Sequence, residues 1–237
     1  MTTRLTDIHQ HLLWGLDDGA QTAEVMQGML REAAGQGIGQ IAATCHICPG
    51  MTPFDPGIYR ERLAEANDFC RQEELDVTVL PGAEVAWTYQ TVAALRQGKT
   101  PTLGGTDCVL LELWRDISLQ EAKRAVRSLI GAGYRPVLAH VERYRCFGWF
   151  PGQALRFREE TGALFQMNAA TLLQPHGLLE KRFARRMLDA RALDAVASDA
   201  HGNPARPQNL REAYDWLLKH TDEEYARLLT TFSGELT

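Results

Sequence analysis

Seven short runs of apolar and β-forming residues alternate with longer stretches of helical pattern, and almost every run ends on or beside a histidine or a carboxylate. The predicted strands are Leu5 to His9, Ile38 to Thr44, Val77 to Glu84, Cys108 to Leu113, Arg135 to His140, Ala163 to Asn168 and Leu193 to Ser198. Strands that alternate with helices pair in parallel through right-handed crossovers. That leaves an open doubly wound sheet or a closed barrel. The polar strand ends favour the barrel, because barrel enzymes assemble their sites from the carboxyl ends of several different strands.

The intervening segments carry their own signals. In TAEVMQGMLREAAGQG, residues Val25, Met26, Met29, Leu30 and Ala33 recur at helical spacing and Gly37 follows as a stop. In ISLQEAKRAVRSLIGAG, Ser118 is placed to cap a helix, with Glu121 three residues on and a glycine at the end. No linker composition or internal repeat divides the 237 residues, so residues 1–237 read as one α/β domain. The net charge of −5 argues against a general nucleic-acid surface. MTTRLTDIHQ lacks a signal-peptide core, and no run approaches the roughly 18 apolar residues of a membrane span. A cytoplasmic location is expected.

Five of the seven histidines follow or end a predicted strand: His9, His11, His46, His140 and His201. Glu84 and Glu112 stand at two further strand ends, and Asp199 precedes His201 by two. Residues two apart in an extended chain point to one side, so the pairs HxH and DxH can each address one ion. Glu112 interrupts the apolar run CVLLELW, where an uncompensated carboxylate would be costly. Imidazole mixed with carboxylate suits manganese, iron or zinc rather than calcium. His176 and His220 fall in helix or loop without partners and read as surface residues. Cys45 and Cys48 form a lone CxxC, which reads as reduced thiols beside a strand end.

A cysteine-based tyrosine phosphatase mechanism is excluded, because it requires an arginine six positions after the cysteine. Those positions hold Met51, Phe54, Asp76, Trp114 and Gly152.

The segments DIHQH with GLDDGA, ATCH, GAE, LLEL, AHVERY, FQMN and ASDAHGNPAR run nearly end to end in family order. At these residues the chain resembles the PHP (polymerase and histidinol phosphatase) superfamily. More narrowly it resembles the bacterial manganese-dependent protein-tyrosine phosphatases of the CpsB/YwqE type. The resemblance implies a distorted (β/α)7 TIM-like barrel holding three divalent ions, Mn2+ first, with Fe or Zn as alternatives. It implies His9, His11, Glu84 and Asp199 around one ion, and Glu84, Glu112 and His140 around a second. Asp18, His46 and His201 would hold the third, with Asp17 as a supporting partner. Arg143 and Arg206 match positions that bind phosphate. The implied reaction is hydrolysis of phosphotyrosine in proteins by metal-activated hydroxide. The implied partner is an autophosphorylating tyrosine kinase of a capsule or exopolysaccharide cluster.

Six positive charges on three divalent ions, against the four carboxylates Asp18, Glu84, Glu112 and Asp199, would leave the pocket attractive to phosphate. Trp14, Trp87, Trp114 and Tyr144 each follow a predicted ligand closely and are expected at the rim, where they would either flank an aromatic ring or simply pack the barrel mouth. A histidinol-phosphatase-like enzyme and a non-catalytic metal-binding module are the competing readings.

Overall fold

The computed structural model describes residues 3–148 and 150–232. Among them, parallel strands run as β1 Leu5–Gln10, β2 Ile38–Ala43, β3 His46–Ile47, β4 Thr78–Pro81 and β5 Glu84–Ala86. β6 Cys108–Glu112, β7 Arg135–Leu138, β8 Leu164–Asn168 and β9 Ala195–Ala197 complete the set. They form the orders β1-β2-β4 and β3-β5-β6-β7-β8-β9. The curled parallel sheet is the distorted (β/α)7 barrel expected from the sequence, with two strand positions each split in two.

Predicted strand Ile38 to Thr44 is β2, followed by the short β3 that was not predicted, and Val77 to Glu84 became β4 plus the start of β5. The cause is Tyr59, from the helix Pro56–Gln72, whose buried ring drives its hydroxyl between the two chains. That hydroxyl accepts from Gly82 N (2.8 Å) and lies within donating distance of Gly82 O (2.9 Å) and Ala43 O (3.3 Å). The ladder hydrogen bonds at this point go to a phenol instead, and the chains resume one step further up the barrel. A side chain at Gly82 would press Thr44 Cγ2 at 3.0 Å.

The ring closes between β1 and the chain after β9. Asp199 N donates to His9 O (2.8 Å), His11 N to Ala200 O (2.9 Å), and Gln10 bridges Ala200. Below this seam the buried Asp7 carboxylate accepts from Ser198 N (3.1 Å), Ser198 Oγ (2.5 Å) and His9 N (3.3 Å). Burial pushes the Asp7 carboxyl up, and the Ser198 hydrogen bonds oppose that. Asp7→Ala would leave buried donors unmatched and is expected to cost about 2–3 kcal/mol. Urea denaturation of the metal-free protein measures it; an unchanged midpoint would show that Asp7 does not clasp the ring.

The barrel interior holds mostly small apolar side chains, including Ile8, Ala42, Leu110, Val137, Ala139 and Ala197. This makes a dry floor beneath the strand tips. On β1, the four residues Asp7 to Gln10 face three on β2, Ile41 to Ala43, so β1 carries a bulge. The bulge lets Ile8 fill the interior while the next residue, His9, still reaches the mouth, which strict alternation would forbid. The two anticipated helices form. The helix Ala23–Gly35 buries Met26, Met29, Leu30 and Ala33, and in the helix Leu119–Ile130 the Ser118 Oγ accepts from Glu121 N (3.1 Å).

Candidate metal centre

The strand tips converge on Glu84, the first residue of β5, whose carboxylate is 1% exposed. Its Oε2 lies 3.2 Å from His9 Nε2, 3.3 Å from His11 Nε2 and 3.1 Å from His46 Nδ1. Its Oε1 lies 2.7 Å from His140 Nε2. Asp199 Oδ1 faces His9 and His11 Nε2 from the far side, at 3.4 Å each. Glu112 closes another side, 3.8 Å from His46 Nδ1 and 3.9 Å from His140 Nε2. Asp18 Oδ1 stands 3.5 Å from His46 Nε2 and 3.4 Å from His201 Nε2. All nine predicted ligands therefore meet at one mouth. Donor atoms mutually within 4.8 Å group as His9, His11 and Glu84; as His46, Glu84 and Glu112; and as His11, Asp18, His46 and His201. Two ring placements differ from the sequence-based partition: His11 also faces Asp18 and His201, and His46 also faces Glu84 and Glu112.

The donor chemistry fits cations. Three rings carry an oxygen acceptor on Nδ1: Asp17 Oδ2 on His11 (2.7 Å), Gln166 Oε1 on His9 (3.1 Å) and Asp199 O on His201 (2.8 Å). An Nδ1–H held in this way leaves the Nε2 lone pair as the free donor, the arrangement that histidine ligands of metals show. The Nε2 atoms of His9 and His11 stand 3.3 Å apart, where two lone pairs repel unless a cation or proton lies between them. Among the described residues, the buried Nδ1 of His140 has no hydrogen-bond partner.

The electrostatics agree. Burial alone would lower His9 and His11, but the carboxylates override it. Glu84 and Asp199 raise His9; Asp17, Asp199 and Glu84 hold His11 well above its usual range. Burial would raise Glu84, yet His9, His11 and His140 keep it well below the carboxylate norm. Glu112 is pushed up to about 7 by burial and by Glu84. Burial holds His140 below its usual range and His201 down to about 4, but a field that raises His9 and His11 against their burial is one that draws cations. Two of the predicted ligands sit on left-handed backbone, His140 at φ 32° and Asp199 at φ 54°. Such conformations cost about 1–3 kcal/mol each and persist where the surroundings impose them, often at functional sites.

The open face is formed by Asp18 (54% exposed) and His46 (39%), flanked by the arginines. Arg143 Nη2 donates to Asp199 Oδ2 at 2.8 Å, and Arg206 reaches Asp18 Oδ2 at 3.2 Å and the His201 ring. A cleft of about 770 Å3 leads away from Glu112, His140 and Arg143 toward Asn168, Thr171 and Glu180.

Two of the four aromatic residues expected at the rim are part of the wall. Trp87 and Tyr144 are buried; the Tyr144 hydroxyl accepts from Leu113 N (3.1 Å) and Trp87 Nε1 donates to Glu121 (3.3 Å). Each indole or phenol found a partner in the packed layer, so the ring was drawn inward. Trp14 is half-buried beneath the Arg62 guanidinium, which lies 3.5 Å from its ring centre. Trp114 stays 51% exposed. His176 and His220 lie on the surface as expected, although His220 is not partnerless: it stacks on Trp216. Cys45 is buried, with its thiol pushed up by burial, and Cys48 is half-buried. None of the metal-capable groups among the described residues includes a cysteine.

Asp7, Gln166 and Asn168 were not singled out from the sequence. A charged residue inside the strand LTDIH was the available signal for Asp7, and FQMN stood out as a motif without a role for its polar residues.

A family model described as capsular polysaccharide synthesis, CpsB/CapC, matches residues 5–235. The tyrosine-protein phosphatase YwqE of Bacillus subtilis is 32% identical over 226 residues, covering 95% of this chain and 89% of the relative. The tyrosine-protein phosphatase CpsB of Streptococcus pneumoniae is 27% identical over 232 residues, covering 95% and 94%. Among solved structures, one from the pair YwqE of Bacillus subtilis and CpsB of Streptococcus pneumoniae superposes with a TM-score of 0.85 at 30% identity, covering 96% of each chain. That pair is described as unique metal-dependent tyrosine phosphatases. The chain belongs to the CpsB/CapC family of capsular polysaccharide synthesis proteins.

Proposed function

We propose that this chain is a metal-dependent protein-tyrosine phosphatase that regulates capsular or exopolysaccharide synthesis. The observation that carries the reading is the Glu84 carboxylate, met by four imidazoles from three separate segments with Arg143 and Arg206 at the open edge. Three divalent ions, manganese first among them, would be held by His9, His11, Glu84 and Asp199; by Glu84, Glu112 and His140; and by Asp18, His46 and His201. Iron or zinc would also suit these donors. Ions so held supply Lewis-acid polarisation of phosphoryl oxygens and a hydroxide nucleophile near neutral pH.

The residues of the chain do the rest. Arg143, braced on Asp199, offers its remaining N–H groups to the phosphate as a planar fork, and Arg206 supplies a second positive group across the mouth. Glu84 and Asp199 keep the imidazole lone pairs converged. Tyrosine phenol has a pKa of about 10, so its phenolate departs more readily than the alkoxide of serine. That favours aryl esters at a site where we assign no acid to the leaving oxygen. No helix among the described residues is long and apolar enough to cross a membrane. The partner we propose is an autophosphorylating tyrosine kinase of a polysaccharide cluster, presenting phosphotyrosine to this site.

The test is a side-by-side assay on a phosphotyrosine peptide, a phosphoserine peptide and histidinol phosphate. Chelation should abolish turnover and Mn2+ should restore it, with phosphotyrosine hydrolysed fastest. Equal or reversed preference would refute the substrate assignment. A fully metal-loaded but inert protein would point to a binding module instead.

A further inference from the structure

The strand β8 contributes no predicted ligand, yet its polar residues touch three of them. Gln166 Oε1 accepts from the backbone N of His140 (2.7 Å) and contacts His9 Nδ1 (3.1 Å). Gln166 Nε2 donates to Asn168 Oδ1 (2.9 Å), and Asn168 Nδ2 donates to Asp199 Oδ2 (2.7 Å). Gln166 is fully buried and Asn168 nearly so. The polarity of the whole chain of bonds follows from one group. A backbone N–H can only donate, so the Gln166 atom facing His140 must be its oxygen. The Gln166 nitrogen therefore faces Asn168 Oδ1, and the Asn168 nitrogen faces Asp199.

Two consequences follow. The Gln166 oxygen can only accept from His9, so a proton sits on His9 Nδ1, and Nε2, which faces Glu84 and Asp199, is the ring atom left for a cation. Asp199 Oδ2 is taken by Asn168 and by Arg143 Nη2 (2.8 Å), which turns Oδ1 toward the Nε2 atoms of His9 and His11. We infer that Gln166 and Asn168 are positioning residues of the metal centre, setting the tautomer of His9, the rotation of Asp199 and, through Asp199, the seat of Arg143. This rests on the reading of the site as a metal centre.

The experiment compares wild type with Gln166→Leu, Gln166→Glu and Asn168→Leu. Zn2+ and Mn2+ affinity is measured by competition with a chelator, and the His9 tautomer by 15N NMR of the zinc-loaded protein. Thermal midpoints and the kcat and KM for a phosphotyrosine peptide complete the set. Gln166→Leu is expected to weaken the metals by roughly 10- to 100-fold and to let His9 populate both tautomers. Gln166→Glu keeps an acceptor for His9 and His140 but sets an oxygen against Asn168 Oδ1. It should restore the His9 tautomer and most of the metal affinity while KM stays raised through Asp199 and Arg143. Asn168→Leu should raise KM with His9 unchanged. Wild-type metal affinity and a single His9 tautomer in Gln166→Leu would overturn the inference, as would a lowered thermal midpoint with no change in either. If Gln166→Leu does not fold, the opposed signatures of the other two variants decide. Failure of the wild type to bind any divalent ion is a separate result, and it would remove the metal centre and this inference together.

Discussion

Glu84→Gln is expected to lower phosphotyrosine turnover by roughly 1,000-fold or more and to strip divalent ions from the protein. The substitution keeps the shape of the side chain and removes its charge. His9, His11, His46 and His140 all stand within 3.3 Å of this carboxylate, so the loss reaches three of the segments that feed the site directly. In the metal-free protein Glu84 is also the larger of the two charges, with Asp199, that offset the burial of His9. With an amide in its place, burial prevails and that ring becomes easier to deprotonate. The same variant should thus bind fewer ions and carry fewer protons at neutral pH. Elemental analysis of the purified protein, a phosphotyrosine assay at saturating Mn2+ and circular dichroism form the check. A folded Glu84→Gln with near wild-type metal content and turnover would dissolve the proposed centre.

Arg143→Ala should behave differently. Its side chain is 45% exposed at the open edge, and its one contact with the ligand set is the bond to Asp199 Oδ2. That oxygen keeps a second donor in Asn168 Nδ2 after the arginine is gone, so Asp199 should hold its orientation and the ions should stay. What disappears is the fork presented to phosphate. The expected loss in kcat/KM is about 100- to 1,000-fold, equivalent to roughly 3–4 kcal/mol of transition-state stabilisation. Arg143→Lys should recover little of it, because a lysine offers a point charge in place of two parallel donors. Metal content equal to wild type with activity reduced in this way supports the assignment. Metal loss in Arg143→Ala would show that the arginine braces the centre rather than the substrate.

Much of the site could be read from the chain. Glu112 within CVLLELW and the pairs His9/His11 and Asp199/His201 stood out through spacing and through the cost of burying charge. The structure does gather those side chains. The aromatic residues were harder. Trp87 and Tyr144 follow their neighbouring predicted ligands by three and four residues and Trp114 by two, yet the first two are buried in the wall while Trp114 remains exposed. Sequence distance from a ligand says how near a ring starts, not which way its polar tip finds a partner. The split of two strands was also hidden, because Tyr59 lies in a helix and acts on Ala43 and Gly82 from outside their own segments.

Legible in the chain alone were the alternation that demands parallel strands, the ends at which ligands collect, and the donor chemistry that selects a divalent cation. These are local properties, set by periodicity, side-chain type and the energy of an unpaired charge. Folding in three dimensions settled how β1 bulges, how Asp7 and Ser198 clasp the ring, and how Gln166 and Asn168 direct His9 and Asp199. The clasp joins residues 191 apart, and the bond from His9 to Gln166 joins residues 157 apart. Hydrogen-bond direction depends on which donor meets which acceptor in space, and no spacing along the chain encodes that meeting.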